Sequence, residues 1–283
     1  MVGIYFSGTG NTKFCVTEYV NFSVSSGRIF SIEDENVNKA FVSEDGGELI
    51  VLGFPSHDGN VPTIMKTFIE KNKGNFSGRE VLILVTMAKP GGDVSSKCAQ
   101  LLKSAGARIY GSIYVKMPDI RTDVEKRFTS IYQNKDMVKD AVSKIHSTII
   151  DIKRGKMPND GLGIRAALSS ILNKGLTKEA PHELKLDTKK CSKCMECIEK
   201  CPTKNIKFEN KKIAFSDKCT MCYRCINICP RKAITFLGKE IEDQSCHKQQ
   251  PDGDARIDKR NLMSRPHRSP PFRNDSPYPQ WYG

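Results

Sequence analysis

Eight of the eleven cysteines fall between positions 191 and 229, and their spacing repeats. Cys191, Cys194, Cys197 and Cys201, with Pro202 directly after, are matched 28 positions on by Cys219, Cys222, Cys225 and Cys229, with Pro230 after them. The repeat runs past the cysteines, because Lys204-Asn205-Ile206-Lys207-Phe208 aligns with Lys232-Ala233-Ile234-Thr235-Phe236 at the same offset. A duplicated four-cysteine unit is implied. Three thiolates at this spacing can wrap three corners of an iron–sulfur cubane while backbone N–H groups turn toward the sulfurs. The proline after the fourth cysteine turns the chain away, having no N–H to satisfy. Ile198, Ile206, Phe208, Ile213, Phe215, Ile226 and Ile234 are expected to form a dry shell around such clusters. A pair of zinc sites is the alternative, but zinc ribbons join two Cys-x-x-Cys knuckles and have no use for the third evenly spaced cysteine. The expected chemistry is single-electron transfer through two [4Fe–4S] clusters. Cys15 and Cys98 fall on expected helices and read as small buried hydrophobes, while Cys246 reads as a free thiol.

A second candidate site is Ser7-Gly8-Thr9-Gly10-Asn11-Thr12. It lies between an apolar strand and a helical pattern, where a loop aims backbone N–H groups and hydroxyls at an anion on the helix N-terminus. No Gly-Lys-Ser/Thr ends it, and it is not a Gly-x-Gly-x-x-Gly loop, so nucleoside triphosphate and dinucleotide fingerprints are both absent. Its three hydroxyls and one amide suit a phosphate monoester.

These residues need a scaffold. Apolar runs at 2–6, 28–32, 48–54, 81–86 and 107–115 predict five strands, and helical spacing falls at 11–20, 62–71, 93–104 and about 123–153. Pro62 opens the second helix, Asp93 is placed to cap the third, and Gly106 ends it. The near-continuous apolar character of 48–54 fits a strand covered on both faces. Strands alternating with helices predict an α/β, doubly wound, five-stranded parallel sheet. Glycines and prolines break up residues 155–183 into a connector with one short helix near 164–172. The expected division is a sheet domain at 1–154, a linker at 155–183, a small α+β cluster domain at 184–244 and a disordered tail at 245–283. The tail holds six prolines, the single tryptophan Trp281 and almost no aliphatic periodicity.

The cysteine run resembles that of bacterial two-cluster ferredoxins, in which the fourth cysteine of each run ligates the other cluster. That resemblance implies Cys191, Cys194, Cys197 and Cys229 on one cluster, and Cys219, Cys222, Cys225 and Cys201 on the second. The loop at 7–12 and the five-strand pattern resemble the flavodoxins over residues 1–150. The combination, over residues 1–241, is similar to the EFR1-type flavodoxin–ferredoxin fusion proteins of anaerobic bacteria and archaea. Gly53-Phe54-Pro55-Ser56-His57 and Val115-Lys116-Met117-Pro118-Asp119-Ile120 also fit that group. The resemblance implies FMN, with its phosphate on Ser7, Thr9, Gly10, Asn11 and Thr12. Pro55, Ser56, His57 and Gly59 would flank the isoalloxazine on one side and Thr86, Met87 and Ala88 on the other, with the Gly59 backbone near flavin N5. Two positions depart from the pattern: His57 stands where a tyrosine is usual, and Met87-Ala88 supplies no aromatic and no glycine. Stacking would fall to His57 and Met87.

The whole composition bounds the function. Two oxidised clusters, each with about two net negative charges, would lower the formal charge of +13 to about +9. A basic protein of this kind is expected to meet an acidic redox partner; weak attraction to anionic membrane or nucleic acid follows from the same charge, but nucleic acid is not the expected partner. No apolar run approaches the roughly 20 residues of a membrane span, and the start has no basic leader, so a cytoplasmic location is expected. The five histidines are scattered and suggest no proton or acyl chemistry, so the chain reads as an electron carrier or oxidoreductase component without a dedicated substrate site. Two other classes fit the same motifs. One is a flavin-dependent reductase of a small substrate fed by the clusters, the other an iron–sulfur sensor of oxygen or redox state with a basic interaction surface.

Overall fold

A computed structural model describes residues 1–42, 47–89, 92–118, 131–163 and 184–238. The expected start of the long helix at 123, Asp119 and Ile120, the helix near 164–172, residues 239–244 and the tail at 245–283 lie outside the described residues.

Five parallel strands, β1 (Val2–Tyr5), β2 (Arg28–Ser31), β3 (Ile50–Pro55), β4 (Glu80–Met87) and β5 (Arg108–Lys116), form one sheet in the order β2-β1-β3-β4-β5. Successive side chains of a strand face opposite sides, and both sides are filled. Val81, Ile83 and Val85 join one apolar cluster, while Leu82 and Leu84 join the other. The first cluster is covered by α2 (Thr63–Lys71), α3 (Lys73–Phe76) and α4 (Val94–Ser104), the second by α1 (Asn11–Ser23) and α5 (Ile131–Lys153). This burial on both faces explains why β3 and β4 read as unbroken apolar runs. Gly53 is where α1 comes closest to the sheet: a Cβ there would lie 2.2 Å from Val16 Cγ2. The strand order reverses between β1 and β3, and in such sheets the crevice for a ligand opens at the carboxyl ends of those two strands.

Several local expectations change. The 3-10 turn at Val37–Phe41 and the short α3 have no sequence periodicity to announce them; they are held by Phe41 and Phe76, whose rings meet edge-on at 5.2 Å. Asp93 occupies the N-cap position of α4 but makes no capping hydrogen bond, its carboxylate pairing instead with Lys97 Nζ at 3.1 Å. The stretch expected to begin a linker at 155 is still packed on the sheet. Ser112 N donates to the Pro158 carbonyl (2.9 Å), Asp160 N to the Ser112 carbonyl (3.1 Å), and Tyr114 N to Asp160 Oδ2 (2.9 Å). β5 is an edge strand, and these residues satisfy backbone groups that would otherwise stand unpaired.

In the second domain β6 (Leu184–Leu186) pairs antiparallel with β9 (Ile234–Phe236), and β7 (Ile206–Glu209) with β8 (Lys212–Phe215). Two short helices, α6 (Glu196–Glu199) and α7 (Arg224–Ile228), lie between the paired strands in sequence. Cys197, Ile206, Cys225, Ile226, Ile234 and Phe236 form its buried core. Phe208, expected in the dry shell, is 44% exposed. It stands beside the Asn210–Lys211 hairpin turn, where the β7–β8 ribbon extends past the core. Among the described residues no helix is long and apolar enough to cross a membrane.

Candidate functional site

The duplication seen in the cysteines is also present in the backbone. Lys193 and Met195 have left-handed φ of 57° and 66°, and their counterparts 28 positions on, Met221 and Tyr223, have 53° and 57°. Lys204 and Lys232 form a third matched pair at 53° and 48°. L-residues adopt this region at a cost of about 1–2 kcal/mol each, so six such residues at matched positions mark turns imposed by the site. The turns direct N–H groups to sulfur. Asn205 N donates to Cys201 Sγ at 3.3 Å, Ala233 N to Cys229 Sγ at 3.2 Å, and Met221 N to Cys219 Sγ at 3.4 Å.

The folded chain sorts the eight cysteines into two sets. Cys191, Cys194, Cys197 and Cys229 line one cavity, and Cys201, Cys219, Cys222 and Cys225 line another. Each set therefore draws three cysteines from one half of the repeat and one from the other. Among the described residues no three His, Cys, Asp or Glu side chains converge closely enough to hold a single ion. Each set of four cysteines lines its own cavity, and a cubane would take one thiolate at each of its four iron corners. Burial, followed by the neighbouring Cys229 and Cys194, pushes the Cys197 thiol up to about 11; burial likewise pushes Cys222 up to about 11, partly offset by hydrogen bonding and charge from Arg224. Thiolates in these positions need cationic iron to stabilise them, and loading would release protons. The donor set, the N–H groups on sulfur and the ringed cavities fit [4Fe–4S] clusters.

The other site lies at the carboxyl ends of β1, β3 and β4. Gly8, Thr9, Asn11, Thr12, Pro55, Ser56, His57, Asp58, Thr86, Met87 and Ala88 line a cleft there that encloses about 100 Å3 and reaches about 730 Å3 with its open mouth. Gly10 N donates to Ser7 Oγ (3.1 Å), which shapes the loop before α1. The first turn of α1 carries no acidic residue, leaving its N-terminal N–H groups suited to an anion. Asn11 Nδ2 donates to the Pro118 carbonyl (3.2 Å), and the buried Thr12 and Thr86 hydroxyls share a hydrogen bond at 2.7 Å. A hydroxyl can donate and accept at once, so Thr12 can accept from Thr86 and keep its own proton for a phosphate. This donor set fits the phosphate of FMN.

Ser7, Gly10 and Gly59 do not line the cleft. The residues His57-Asp58-Gly59-Asn60 form a tight turn, with φ of 48° at Asp58 and 73° at Gly59, and the Gly59 carbonyl accepts from Lys97 Nζ at 3.0 Å. Asp58, not Gly59, faces the cleft.

Met117 and Pro118, just after β5, also line the cleft, and the remaining wall comes from the second domain through Met221, Cys222 and Tyr223. Cys222 packs against the apolar core of the sheet domain. Gly8 makes this approach possible, because a Cβ there would come within 1.9 Å of the Cys222 carbonyl oxygen. Arg224 fastens the same turn, its two terminal nitrogens each 2.7 Å from a Glu33 oxygen, with Nη2 also donating to the Ser7 carbonyl (2.8 Å) and Nη1 to the Lys200 carbonyl (3.0 Å). Neither Glu33 nor Met221, Tyr223 and Arg224 stands out by motif. A signal was present nonetheless: the repeat partners of Tyr223 and Arg224 are Met195 and Glu196, so the two halves diverge in chemistry where one of them meets the sheet domain.

Residues 183–230 match the family described as the 4Fe-4S dicluster domain. The chain joins a flavodoxin-like domain to a ferredoxin-type iron–sulfur domain. The two-electron reduced flavodoxin of Megasphaera elsdenii is similar at 24% identity, over 42% of this chain and 89% of its own, with a TM-score of 0.36. A flavodoxin from the domain Archaea is similar at 14% identity, over 54% of this chain and 97% of its own, with a TM-score of 0.37. An NADH:FMN oxidoreductase in its apo form is similar at 13% identity, over 53% of this chain and 88% of its own, with a TM-score of 0.38. Among curated proteins none matches significantly. The sheet's own strand order carries the fold assignment, and the iron–sulfur domain supports an electron-transfer role.

Proposed function

We propose that this chain passes single electrons between FMN, held at the edge of the sheet, and two [4Fe–4S] clusters held by Cys191, Cys194, Cys197 and Cys229 and by Cys201, Cys219, Cys222 and Cys225. One observation carries the reading: Cys222 and Tyr223 line both the flavin cleft and the second cysteine cavity. When bound, FMN would exchange electrons in pairs or singly and the clusters would exchange them singly. Thr9, Thr12 and the N-terminus of α1 would hold the phosphate, and Pro55–Asp58 with Thr86–Ala88 would flank the ring system. Cys222 and Tyr223 would lie between the two groups, and Gly8 lets that turn approach the cleft.

The first cluster would sit at the outer end. Cys194 is exposed, and Lys189, Lys190, Lys193, Arg231 and Lys232 are exposed beside its ligands in sequence. That basic rim suits docking of an acidic redox partner. The deciding experiment is anaerobic purification with metal, sulfide and flavin analysis, then stopped-flow mixing with a one-electron donor. The expected result is about eight iron and eight sulfide per chain, one FMN, and flavin reduction that follows cluster reduction. Four iron per chain, stoichiometric zinc, or a first domain that binds no FMN at high micromolar concentration would overturn it.

A further inference from the structure

We infer that the flavin site is composite, with the Met221–Tyr223 turn as its second wall, so that loading of the second cluster and binding of FMN strengthen one another. This rests on FMN binding as proposed above and goes on to say what completes the site. The sheet domain alone offers no aromatic at Thr86-Met87-Ala88, and Met87 is buried among the residues of the sheet's core. Tyr223 comes from outside the sheet domain and lines the cleft on one side and the cysteine cavity on the other, with its ring packed against the second domain's core. Its orientation is set by Phe236, whose ring it meets edge-on at 5.3 Å and 86°.

The turn carrying Tyr223 depends on the cysteines around it. Met221 and Tyr223 alternate with Cys219, Cys222 and Cys225 and hold left-handed φ of 53° and 57°. Non-glycine residues keep such a conformation only where the surroundings fix it, and three thiolates bound to one cluster would fix it. On its other side the turn is clamped to the sheet domain by Arg224 on Glu33 and Ser7, and by the contact between Cys222 and Gly8. A segment that serves two ligands at once couples them, and by thermodynamic reciprocity each tightens the other by the same factor.

The test is FMN titration of anaerobic full-length chain followed by flavin fluorescence quenching, which needs no turnover. Cys201 lines the second cysteine cavity but not the flavin cleft. Cys201→Ala therefore perturbs the cluster without touching the flavin wall, with iron analysis to establish its loss. FMN affinity is expected to fall by about five- to 150-fold, the usual range of coupling. Tyr223→Ala, with both clusters still present by iron analysis, should weaken FMN about tenfold, and Tyr223→Phe should restore it. If Cys201→Ala does not fold, FMN titration of the wild-type chain before and after cluster reconstitution decides. Equal FMN affinity in wild type, Cys201→Ala and Tyr223→Ala overturns the composite site while leaving FMN binding intact. Failure of wild type itself to bind FMN overturns both.

Discussion

Gly8 and Thr12 show two ways in which one loop residue can matter. Gly8 matters for what it lacks, since any Cβ would strike the Cys222 carbonyl oxygen at 1.9 Å. Gly8→Ala should push the turn off the cleft and slow cluster-to-flavin transfer. Stopped-flow absorbance would measure this, with iron content expected to remain at the wild-type value and FMN affinity expected to fall as the wall is displaced. Thr12 matters for a hydroxyl that is buried and paired with Thr86 at 2.7 Å. Thr12→Val leaves the Thr86 hydroxyl without that partner and should cost about 1–3 kcal/mol in urea unfolding of the apoprotein. The same variant should weaken FMN about ten- to a hundredfold while hardly changing riboflavin affinity, because only FMN presents a phosphate.

Within the second domain the element of interest is the repeat rather than any one strand. Each half ends on a cysteine that faces the cavity of the other half, Cys201 with Cys219, Cys222 and Cys225, and Cys229 with Cys191, Cys194 and Cys197. The two fourth cysteines should therefore behave differently toward the flavin. Cys229→Ala should lose the outer cluster, drop iron from about eight to about four per chain, and leave cluster-to-flavin transfer fast. Reduced-state EPR with rapid mixing checks this; slow transfer in Cys229→Ala with a fast Cys201→Ala would mean that the sets are not exchanged.

Across the whole molecule the proposed electron path would run from the flavin cleft through the second cysteine cavity, which shares Cys222 and Tyr223 with it, to the first cavity. Arg224 holds the two domains in register through its paired contacts to Glu33, and both side chains of that ion pair are largely sheltered. Docking at the outer end depends on surface charge, which salt screens over a Debye length of about 10 Å at 0.1 M. Reduction of the chain by an acidic protein donor should therefore slow steadily as ionic strength rises, while reduction by a small neutral donor should not. Equal salt dependence for both donors would remove the acidic partner.

Much of this was readable from spacing alone. Cysteine period, the phosphate loop and alternating strand and helix runs depend on local chemistry: which atoms can ligate iron, which turn exposes N–H groups, which residues must be buried on both faces. Residues 7–12, 55–58 and 86–88 accordingly fall at one crevice or directly beside it, as the strand order requires. What the sequence left open depends on contacts between distant segments. Gly59 turns its carbonyl to Lys97, 38 positions away, and residues 158–160 pair with β5 because an edge strand needs a partner. Tyr223, from the other domain, comes to line the same cleft as Met87, and the glycine at position 8 answers a carbonyl at position 222. Periodicity encodes what a residue does within its own element. Which surface of another domain comes to lie against it is decided only when the chain packs, because that proximity is set by burial and charge pairing between segments with no common local pattern.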